Sequence, residues 1–556
     1  MNVKKKILVC ICAVLVAVFG GSAVVDEIRS ITRQDQDQVQ TEEASGNMDV
    51  ETKTGLTEDQ EKVQTQIEET YNVENQQAVA EKLEKEKAAQ DYTDSNMLIE
   101  YNPFGTDSQS LYVYFNTEEP VSISYNIHVK DSDIEDFRKD VWEEDLYTTE
   151  HEFQVIGLIP DMENTVTFFL TREDGSTDTR EIVYEMGDLL GTEEVMLDTD
   201  MEGEAEELED GLYAILGNDS DGLDFMYYYD NQGVLRGEIP IIGYRSHRLL
   251  FDEDSMYFSI SETKMAQMNR LGQVTNVYDL GNYKLHHDYV FDDNGNMLIL
   301  ATDTTQDSVE DIVLRLDVNS GSVTEVLDLG DLFGSFKEEC QKNSDGELDW
   351  MHINTIQWMG NGSVLLSSRE TSSIIKIDSL YDKPLISYII SDKSVWKGTE
   401  YENLVFTRKG DFTIQGGQHT ITYVEDPTLA DGQYYLYMFD NHIGISETRP
   451  EFDWSGTGLT ETSAKDGETS YYYKYLVDEN AGTFELVDSF KVPYSGYVSS
   501  VQNLGDNTIV DSGMQGIFGE YDKDHELIAQ YTMKAEKFIY RVFKYDFDGF
   551  YFRNIE

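Results

Sequence analysis

The segment from Asp349 to Glu370, DWMHINTIQWMGNGSVLLSSRE, decides the fold. Apolar residues lead into Asn361-Gly362 and a second apolar run leads away from it, which predicts two antiparallel strands joined by a tight turn. Because the turn is centred near residue 361, antiparallel pairing brings Arg369 beside His352 and Asn354. The hairpin therefore places a guanidinium, an imidazole and an amide at one end of a sheet.

Hairpins of this kind recur along the C-terminal part of the chain. Their turns are Asp230-Asn231-Gln232-Gly233, Arg270-Leu271-Gly272, Asp293-Asn294-Gly295, Asn319-Ser320-Gly321 and Asn361-Gly362. The pattern indicates six such units between residues 210 and 556, with little helical periodicity. It favours an all-β fold, a six-bladed β-propeller at 210–556, because closing the ring protects the sheet edges. A large β-sandwich or a β-helix is the alternative.

A smaller β domain is predicted before the propeller. Leu111, Val113 and Phe115 alternate with polar residues, and the alternation resumes from Val121 to Val129. Period-two alternation is typical of strands that bury one face. We therefore expect a small N-terminal β-sandwich at 97–190.

The N-terminal region divides into two segments. Residues 26–96 are acidic and polar, and Thr57 with Gln60 resembles a capping box, so we expect a partly helical stalk, with an unstructured acidic linker as the alternative. Before them, Lys4-Lys5-Lys6 precede an uncharged run from Ile7 to Val25 that is long enough to cross a hydrocarbon core. Residues 1–25 are predicted to be a signal peptide or a membrane anchor, which places the body outside the cytoplasm, attached to the cell surface or secreted.

The charge of the chain excludes two classes of partner. Lys and Arg number 41 against 108 Asp and Glu, which gives a formal net charge of −67. A nucleic-acid binder needs a basic face, and so does a protein that is drawn to anionic lipid heads. With 40% apolar and 12% aromatic residues the body is nevertheless too hydrophobic for a disordered chain. Cys340 is the one cysteine outside the N-terminal run, so no disulfide forms within the exported body.

Histidines mark the candidate site. His287, His352 and His419 each open a propeller unit, and they lie 65 and 67 residues apart. Equivalent positions in successive blades lie at equivalent radii, so the three imidazoles should face one end of the central channel. Together with Arg369 and Asn354 they predict a site for an oxyanion. His286 should point away from His287, because successive strand residues face opposite sides.

Other chemistries have weaker signals. A zinc triad of the three histidines is conceivable, but no His-Glu-x-x-His motif supports it and an arginine beside a metal is unfavourable, so we expect no metal. Carboxylates are too abundant for any glycosidase pair to stand out. Nucleotide-binding glycine loops are missing, and no cofactor is expected.

At these residues the chain resembles the bacterial aryl-sulfate sulfotransferases, which move sulfuryl groups between phenols without a nucleotide donor. The resemblance spans about 97–556 and is carried by His287-Asp288 before Asp293-Asn294-Gly295-Asn296, Trp350 to Thr355 with Leu365 to Arg369, Gln418-His419-Thr420 with Phe439-Asp440-Asn441, and Tyr540-Arg541. It implies a small sandwich before a six-bladed propeller. It also implies aryl sulfate and phenol as substrates and ping-pong transfer.

The resemblance assigns roles to residues of this chain. His419 would be the nucleophile that is transiently sulfurylated. The residues implied to bind sulfuryl oxygens or to move protons are His287, His352, Asn354 and Arg369, with Tyr540 and Arg541 as further candidates. Ile353 replaces a hydroxyl residue of some members, and its backbone N–H would serve instead. Gram-negative members carry a disulfide near the site, which this chain does not make, so its folding should not require one.

Two functions remain open at this point. The leading one is an extracytoplasmic aryl-sulfate sulfotransferase that acts on small molecules. The alternative is a non-catalytic, membrane-tethered propeller that retains the pocket as a binding or sensing module, since propellers host both kinds of function. The sequence leaves the oligomeric state open, a homodimer included, and does not decide which histidine is the acid.

Overall fold

The protein is described by a computed structural model at residues 56–217, 220–462 and 468–554. Apart from Asn343–Glu347, which form a short turn of their own, these residues belong to one compact unit. The expected signal or anchor segment at 1–25 lies outside the described residues. Among the residues that are described, no helix is both long and apolar enough to cross a membrane.

Two helices precede the β domains. They are α1 (Glu58–Thr70) and α2 (Val73–Lys87), and the capping box of Thr57 and Gln60 is confirmed. We expected a partly helical stalk, and both helices of this segment lie against the body. Ile67, Tyr71 and Leu83 are buried, and the Tyr71 hydroxyl donates to the Pro240 carbonyl at 2.6 Å.

The predicted β-sandwich is confirmed. Its strands are β1 (Leu98–Tyr101), β2 (Ser110–Val129), β3 (Phe137–Asp140), β4 (Thr148–Ile156), β5 (Glu163–Thr171) and β6 (Thr177–Glu185). The long strand β2 serves both layers: its first half pairs with β1 and β4, and its second half pairs with β3 and β5. The pairing with β4 shifts between Asn116 and Val121, where the alternation of the sequence is interrupted.

The remaining strands form the predicted six-bladed propeller. They are β7 (Asp198–Met201), β8 (Leu212–Ile215), β9 (Asp224–Tyr229), β10 (Leu235–Ile241), β11 (Leu250–Asp252), β12 (Ser255–Ser261), β13 (Lys264–Asn269), β14 (Val274–Asp279), β15 (Tyr283–Phe291), β16 (Met297–Asp303), β17 (Ile312–Asp317), β18 (Ser322–Asp328), β19 (Ile353–Trp358), β20 (Val364–Ser368), β21 (Ser373–Asp378), β22 (Leu385–Ile390), β23 (Thr407–Lys409), β24 (His419–Val424), β25 (Gln433–Asp440), β26 (Ser470–Asp478), β27 (Thr483–Val492), β28 (Ser500–Leu504), β29 (Asn507–Ser512), β30 (Ile517–Tyr521), β31 (Leu527–Thr532) and β32 (Val542–Tyr545). Two short helices, α3 (Leu329–Leu332) and α4 (Gly334–Lys337), follow β18.

Each blade is an antiparallel sheet built around four strands. From the channel outward, blade 1 is β32-β8-β9-β10, and blades 2, 3 and 4 are β11–β14, β15–β18 and β19–β22. Blade 5 is β24–β27 with β23 added in parallel, and blade 6 is β28–β31 with β7 outermost. The strands β15, β19, β24, β28 and β32 contact one another in turn, which marks them as the inner strands.

The ring is closed at both chain ends. The C-terminal β32 is the inner strand of blade 1, and β7 supplies the outer strand of blade 6, so the propeller begins before residue 210. Between these blades the Lys544 ammonium donates to the Glu520 carboxylate at 2.8 Å, and both side chains are fully buried. Closure therefore depends on strand pairing and on a buried ion pair.

Candidate active site

Of the three predicted histidines, His352 and His419 lie where inner strands begin and His287 lies within β15, and the strand geometry is irregular at each of them. The strand pairing shifts between Leu285 and Tyr289, between Ile353 and Thr355, and between His419 and Thr422. His287 and His352 have φ angles of +54° and +47°. A left-handed conformation is unfavourable for residues with a side chain and is enriched at functional sites.

The same irregularity corrects our expectation for His286. Regular alternation would turn His286 away from His287, but the bulge and the left-handed His287 interrupt the alternation. Ligand atoms of His286, His287 and Glu310 all lie within 4.8 Å of one another. Both imidazoles of the pair therefore approach the same carboxylate.

His419 is held as a neutral imidazole with a defined tautomer. Its Nδ1 lies 2.7 Å from the Asn441 Oδ1 and 3.0 Å from the Gly417 carbonyl, both of which are acceptors. The ring proton therefore belongs on Nδ1, and Nε2 carries the lone pair. Burial lowers the pKa of His419 to about 3; the Asn441 contact opposes this shift, and the Arg369 charge reinforces it.

Neighbouring amides fix that arrangement. The Asn441 Nδ2 donates to the Ser495 carbonyl at 2.7 Å and to the Ser499 hydroxyl at 3.2 Å, so its Oδ1 must face His419. The Asn354 Nδ2 donates to the Gln418 carbonyl at 2.8 Å, which links blade 4 to the residue before His419. Asn354, predicted to bind substrate, thus bonds to the residue before His419 in this structure.

His352 is held in the opposite charge state. Its Nδ1 lies 2.5 Å from the Asp349 Oδ2 and 3.0 Å from the Glu310 Oε2. Burial disfavours the imidazolium, but the two carboxylates outweigh burial and raise the pKa of His352 to about 10. At neutral pH, His352 is therefore a cation whose Nδ1 faces the carboxylates.

Glu310 lies between two histidines. Its Oε2 is 3.2 Å from the His287 Nε2 and 3.0 Å from the His352 Nδ1. Burial disfavours its charge, but His352 and His287 outweigh burial and hold the pKa of Glu310 well below its usual range. Burial also raises the pKa of Asp349. Glu310 is thus the carboxylate of this cluster that stays ionised.

His287 connects Glu310 to Tyr540. Burial lowers the pKa of His287 well below its usual value, so the ring carries one proton. The Nε2–H then donates to Glu310, and the Tyr540 hydroxyl has two acceptors on His287, Nδ1 at 3.0 Å and the backbone carbonyl at 3.2 Å. The rings of His287 and His352 lie 4.8 Å apart between centroids.

Two arginines bring positive charge to the histidines. The Arg369 backbone N–H donates to the His352 carbonyl at 3.1 Å, which confirms the predicted hairpin geometry. The Arg541 Nη1 donates to the Asp288 carboxylate at 3.1 Å and to the His247 carbonyl at 3.0 Å. Charge repulsion from both guanidiniums helps to lower the pKa of His419.

One backbone N–H that we expected to bind substrate already donates a hydrogen bond within the protein. The Ile353 backbone N–H, which we expected to serve the sulfuryl group, donates to the Glu310 carbonyl at 3.1 Å. The N–H is bonded in this way because the left-handed Glu310 turns its carbonyl toward the start of β19, and the role expected for Ile353 stays a prediction.

Sequence reasoning missed four residues of the site: Glu310, Asp349, Asn441 and His247. Glu310 lies in the connection between β16 and β17, outside every motif we identified. Asp349 is close to the motif residue His352 along the sequence, and Asn441 is close to the motif residue His419 across a hairpin. This proximity was the signal from which they could have been predicted. His247 is fully buried with its ring 5.3 Å from that of Tyr540.

Histidines and carboxylates of this cluster form two overlapping groups that could hold a metal ion. They are His286, His287 and Glu310, and Glu310, Asp349 and His352, each with ligand atoms within 4.8 Å. In the second group each of these residues already makes a short contact with another member. The expectation of a metal-free site stays a prediction.

The fold and the site define a class: a six-bladed β-propeller whose channel end presents histidines in different charge states beside arginines. The chain belongs to the arylsulfotransferase family. The family model "Arylsulfotransferase (ASST)" matches residues 198–545, and "Arylsulfotransferase Ig-like domain" matches residues 98–187. Membership supports aryl sulfotransferase activity in the broad sense.

Other comparisons are distant. No curated protein sequence matches the chain. A protein of unknown function from Bacteroides caccae is 10% identical over 60% of this chain and 98% of its own, with a TM-score of 0.34. The WD40 domain of Toxoplasma gondii coronin is 9% identical over 61% and 75%, with a TM-score of 0.30. An auxiliary nutrient binding protein from Bacteroides thetaiotaomicron is 9% identical over 80% and 99%, with a TM-score of 0.29. Scores this low carry no argument about this chain, and the blade assignment rests on its own strand order.

Proposed function

We propose that the protein transfers a sulfuryl group from a phenolic sulfate ester to a second phenol, through a sulfohistidine at His419. The observation that carries the proposal is the state of this ring. Its proton is held on Nδ1 by Asn441 and Gly417, and its pKa is lowered to about 3 by burial. Nε2 is therefore a permanent lone-pair donor, as a nucleophile at neutral pH must be.

In the first half-reaction the His419 Nε2 attacks sulfur and the bond from sulfur to the phenolic oxygen breaks. The electron pair of that bond goes to the departing oxygen, which takes a proton from the His352 imidazolium and leaves as a phenol. The sulfurylated ring keeps its Nδ1 proton and gains positive charge. The Asn441 Oδ1 and the Gly417 carbonyl stabilise that charge, because both accept from Nδ1.

In the second half-reaction an acceptor phenol gives its proton to the now neutral His352. Its oxygen attacks sulfur, the bond from sulfur to Nε2 breaks, and the electron pair returns to His419. One donor ester and one phenol thus yield a new ester and a new phenol, with His352 restored to its cationic form. The order of events gives ping-pong kinetics.

The acidity of His352 suits this exchange. Its pKa is raised to about 10, and an ordinary phenol such as a tyrosine side chain has a pKa of about 10. Proton transfer between the two is then nearly balanced in both directions, which general acid–base catalysis of a reversible step requires. An ordinary histidine would protonate the first phenolate readily but would be a poor base for the second phenol.

Arg369 and Arg541 supply the remaining electrostatics. The sulfate ester carries one negative charge, and its charge moves toward the leaving oxygen in a loose transition state. The two guanidiniums act on His419 by charge, so they stabilise an anion placed at this ring. They also provide local attraction in a chain with a net charge of −67.

Release of a coloured phenol from 4-nitrophenyl sulfate, with and without a second phenol, tests the proposal. We expect acceptor-dependent release by the protein and loss of release by His419→Ala, while His128→Ala in the sandwich keeps full activity. Imidazole added to His419→Gly should restore part of the release. Release that needs no acceptor would indicate a hydrolase. Folded protein that releases nothing from a broad donor panel would favour the non-catalytic binding or sensing module.

We further propose that this chemistry takes place outside the cytoplasm, with residues 7–25 as the membrane anchor or export signal. The support is the order of Lys4-Lys5-Lys6, the uncharged run and the acidic residues Asp26 and Glu27. Fusion of residues 1–96 to a reporter that is active only after export tests this placement. An inactive, cytoplasmic fusion would contradict it.

A further inference from the structure

Glu310 makes contacts that the proposed transfer does not by itself require. Its Oε2 is shared by the His287 Nε2 at 3.2 Å and the His352 Nδ1 at 3.0 Å. The His352 Nδ1 has one proton, and it also lies 2.5 Å from Asp349. Two carboxylates thus face one imidazole nitrogen, although one would be enough to orient the ring.

The backbone holds Glu310 in place for this contact. Glu310, His287 and His352 all have positive φ, at +57°, +54° and +47°. The Glu310 N–H donates to the Thr302 hydroxyl at 2.9 Å, and its carbonyl accepts from the Ile353 N–H at 3.1 Å. Three strained residues that meet at one carboxylate point to a functional constraint, because each such conformation is unfavourable.

The charged and titratable groups around His352 come from several elements. Asp349 lies before β19, Glu310 lies on the connection between β16 and β17, and His287 lies on β15. Arg369, after β20, opposes protonation of His352, and His419 on β24 is close enough for mutual charge effects. Of these groups, Glu310 is the one that contacts both His287 and His352.

We propose that Glu310 is a positioning residue that keeps His352 protonated and thereby selects weakly acidic phenols as the enzyme's leaving groups and acceptors. The inference rests on the proposed function and names its substrate class. With Glu310 in place, His352 and an alkyl-substituted phenol have similar affinities for a proton. Without it, Asp349 remains the one carboxylate at the His352 Nδ1, and His352 would match phenols that are more acidic. His287 would also lose the acceptor that fixes its tautomer toward Tyr540.

The test compares Glu310→Gln with the unaltered protein in the donor half-reaction, followed as single-turnover phenol release across pH. The pKa of His352 is raised to about 10, so release by the unaltered protein should decline only above about pH 10. Loss of a carboxylate at this distance should move the decline down by about 1–3 pH units. Glu338→Gln, at an exposed position, is the control and should leave the profile unchanged.

A second readout separates positioning from simple damage. At pH 9, a fall of 1–3 pH units means that Glu310→Gln should slow release from 4-methylphenyl sulfate by about 2- to 90-fold, and release from 4-nitrophenyl sulfate by much less, because a good leaving group needs little protonation. Glu310→Asp keeps the charge and should recover part of the loss. Thermal unfolding of each variant verifies that it is folded.

The outcomes are distinct. An unaltered protein that transfers sulfuryl groups, with a variant whose pH profile and donor preference are unchanged, would overturn the role of Glu310 and leave the proposed function standing. Equal loss with every donor and no shift in pH profile would also overturn it, since Glu310 would then be only structural. No transfer by the unaltered protein would refute the proposed function itself.

Discussion

Removal of the Asn441 amide should weaken the nucleophile without touching substrate. Asn441→Leu deletes the acceptor that lies 2.7 Å from the His419 Nδ1, and leaves the Gly417 carbonyl at 3.0 Å as the second acceptor. When Nε2 is sulfurylated the ring becomes cationic, so the lost contact is a hydrogen bond to a charged group, worth about 1.5–3 kcal/mol. At 1.36 kcal/mol per factor of ten, this predicts a loss of about 10- to 150-fold in the donor half-reaction.

The assay is single-turnover phenol release from 4-nitrophenyl sulfate, which isolates the step that forms sulfohistidine. Asn164→Leu is the matched control: Asn164 is an equally buried asparagine that bonds to Ile159 backbone atoms in the sandwich, far from the chemistry in sequence. It should alter stability but not the rate per folded molecule. A folded Asn441→Leu protein with an unaltered release rate would refute the role given to the His419 tautomer.

Three further results are expected. The donor half-reaction should be nearly flat from about pH 5 to 9, because the pKa of His419 is lowered to about 3 and that of His352 is raised to about 10; a decline centred near the ordinary histidine pKa of about 6.5 would contradict both assignments. Arg369→Gln should lower kcat/KM for aryl sulfates by about 100-fold, measured by steady-state phenol release, since a charged group near the developing anion is lost; a change below about threefold would exclude Arg369 from catalysis. Lys544→Ala should destabilise the propeller by about 3–5 kcal/mol in denaturant unfolding, because the buried Glu520 loses its ion-pair partner, and an unchanged unfolding midpoint would count against closure through this pair.

Local patterns in the sequence were enough to predict the blades. The hairpin from Asp349 to Glu370 combines period-two alternation with an Asn-Gly turn, and both signals depend only on neighbouring residues. The ring closure was harder to predict: β7 pairs with β31 across more than 300 residues, and a four-residue strand in which two residues are acidic carries little local signal. This is why the predicted propeller began too late.

The candidate site shows the same contrast between features that local sequence patterns predict and features that depend on long-range contacts. The repeat spacing of His287, His352 and His419 predicted their convergence, because it reflects the blade period. Glu310 could not be predicted in this way. It lies on the connection between β16 and β17, and it reaches the histidines only because the propeller blades are arranged in a ring. The bulge at His287 likewise overrode the regular alternation that we assumed for His286.

The role of His419 is tested most directly by a search for the intermediate. The protein would be incubated with an aryl sulfate and no acceptor, and its intact mass measured before and after a phenol is added. The account predicts a mass increase of one sulfuryl group, located at His419 by fragmentation, absent from His419→Ala and discharged by the phenol. Transfer that proceeds rapidly with no adduct, or an adduct on another residue, would contradict it.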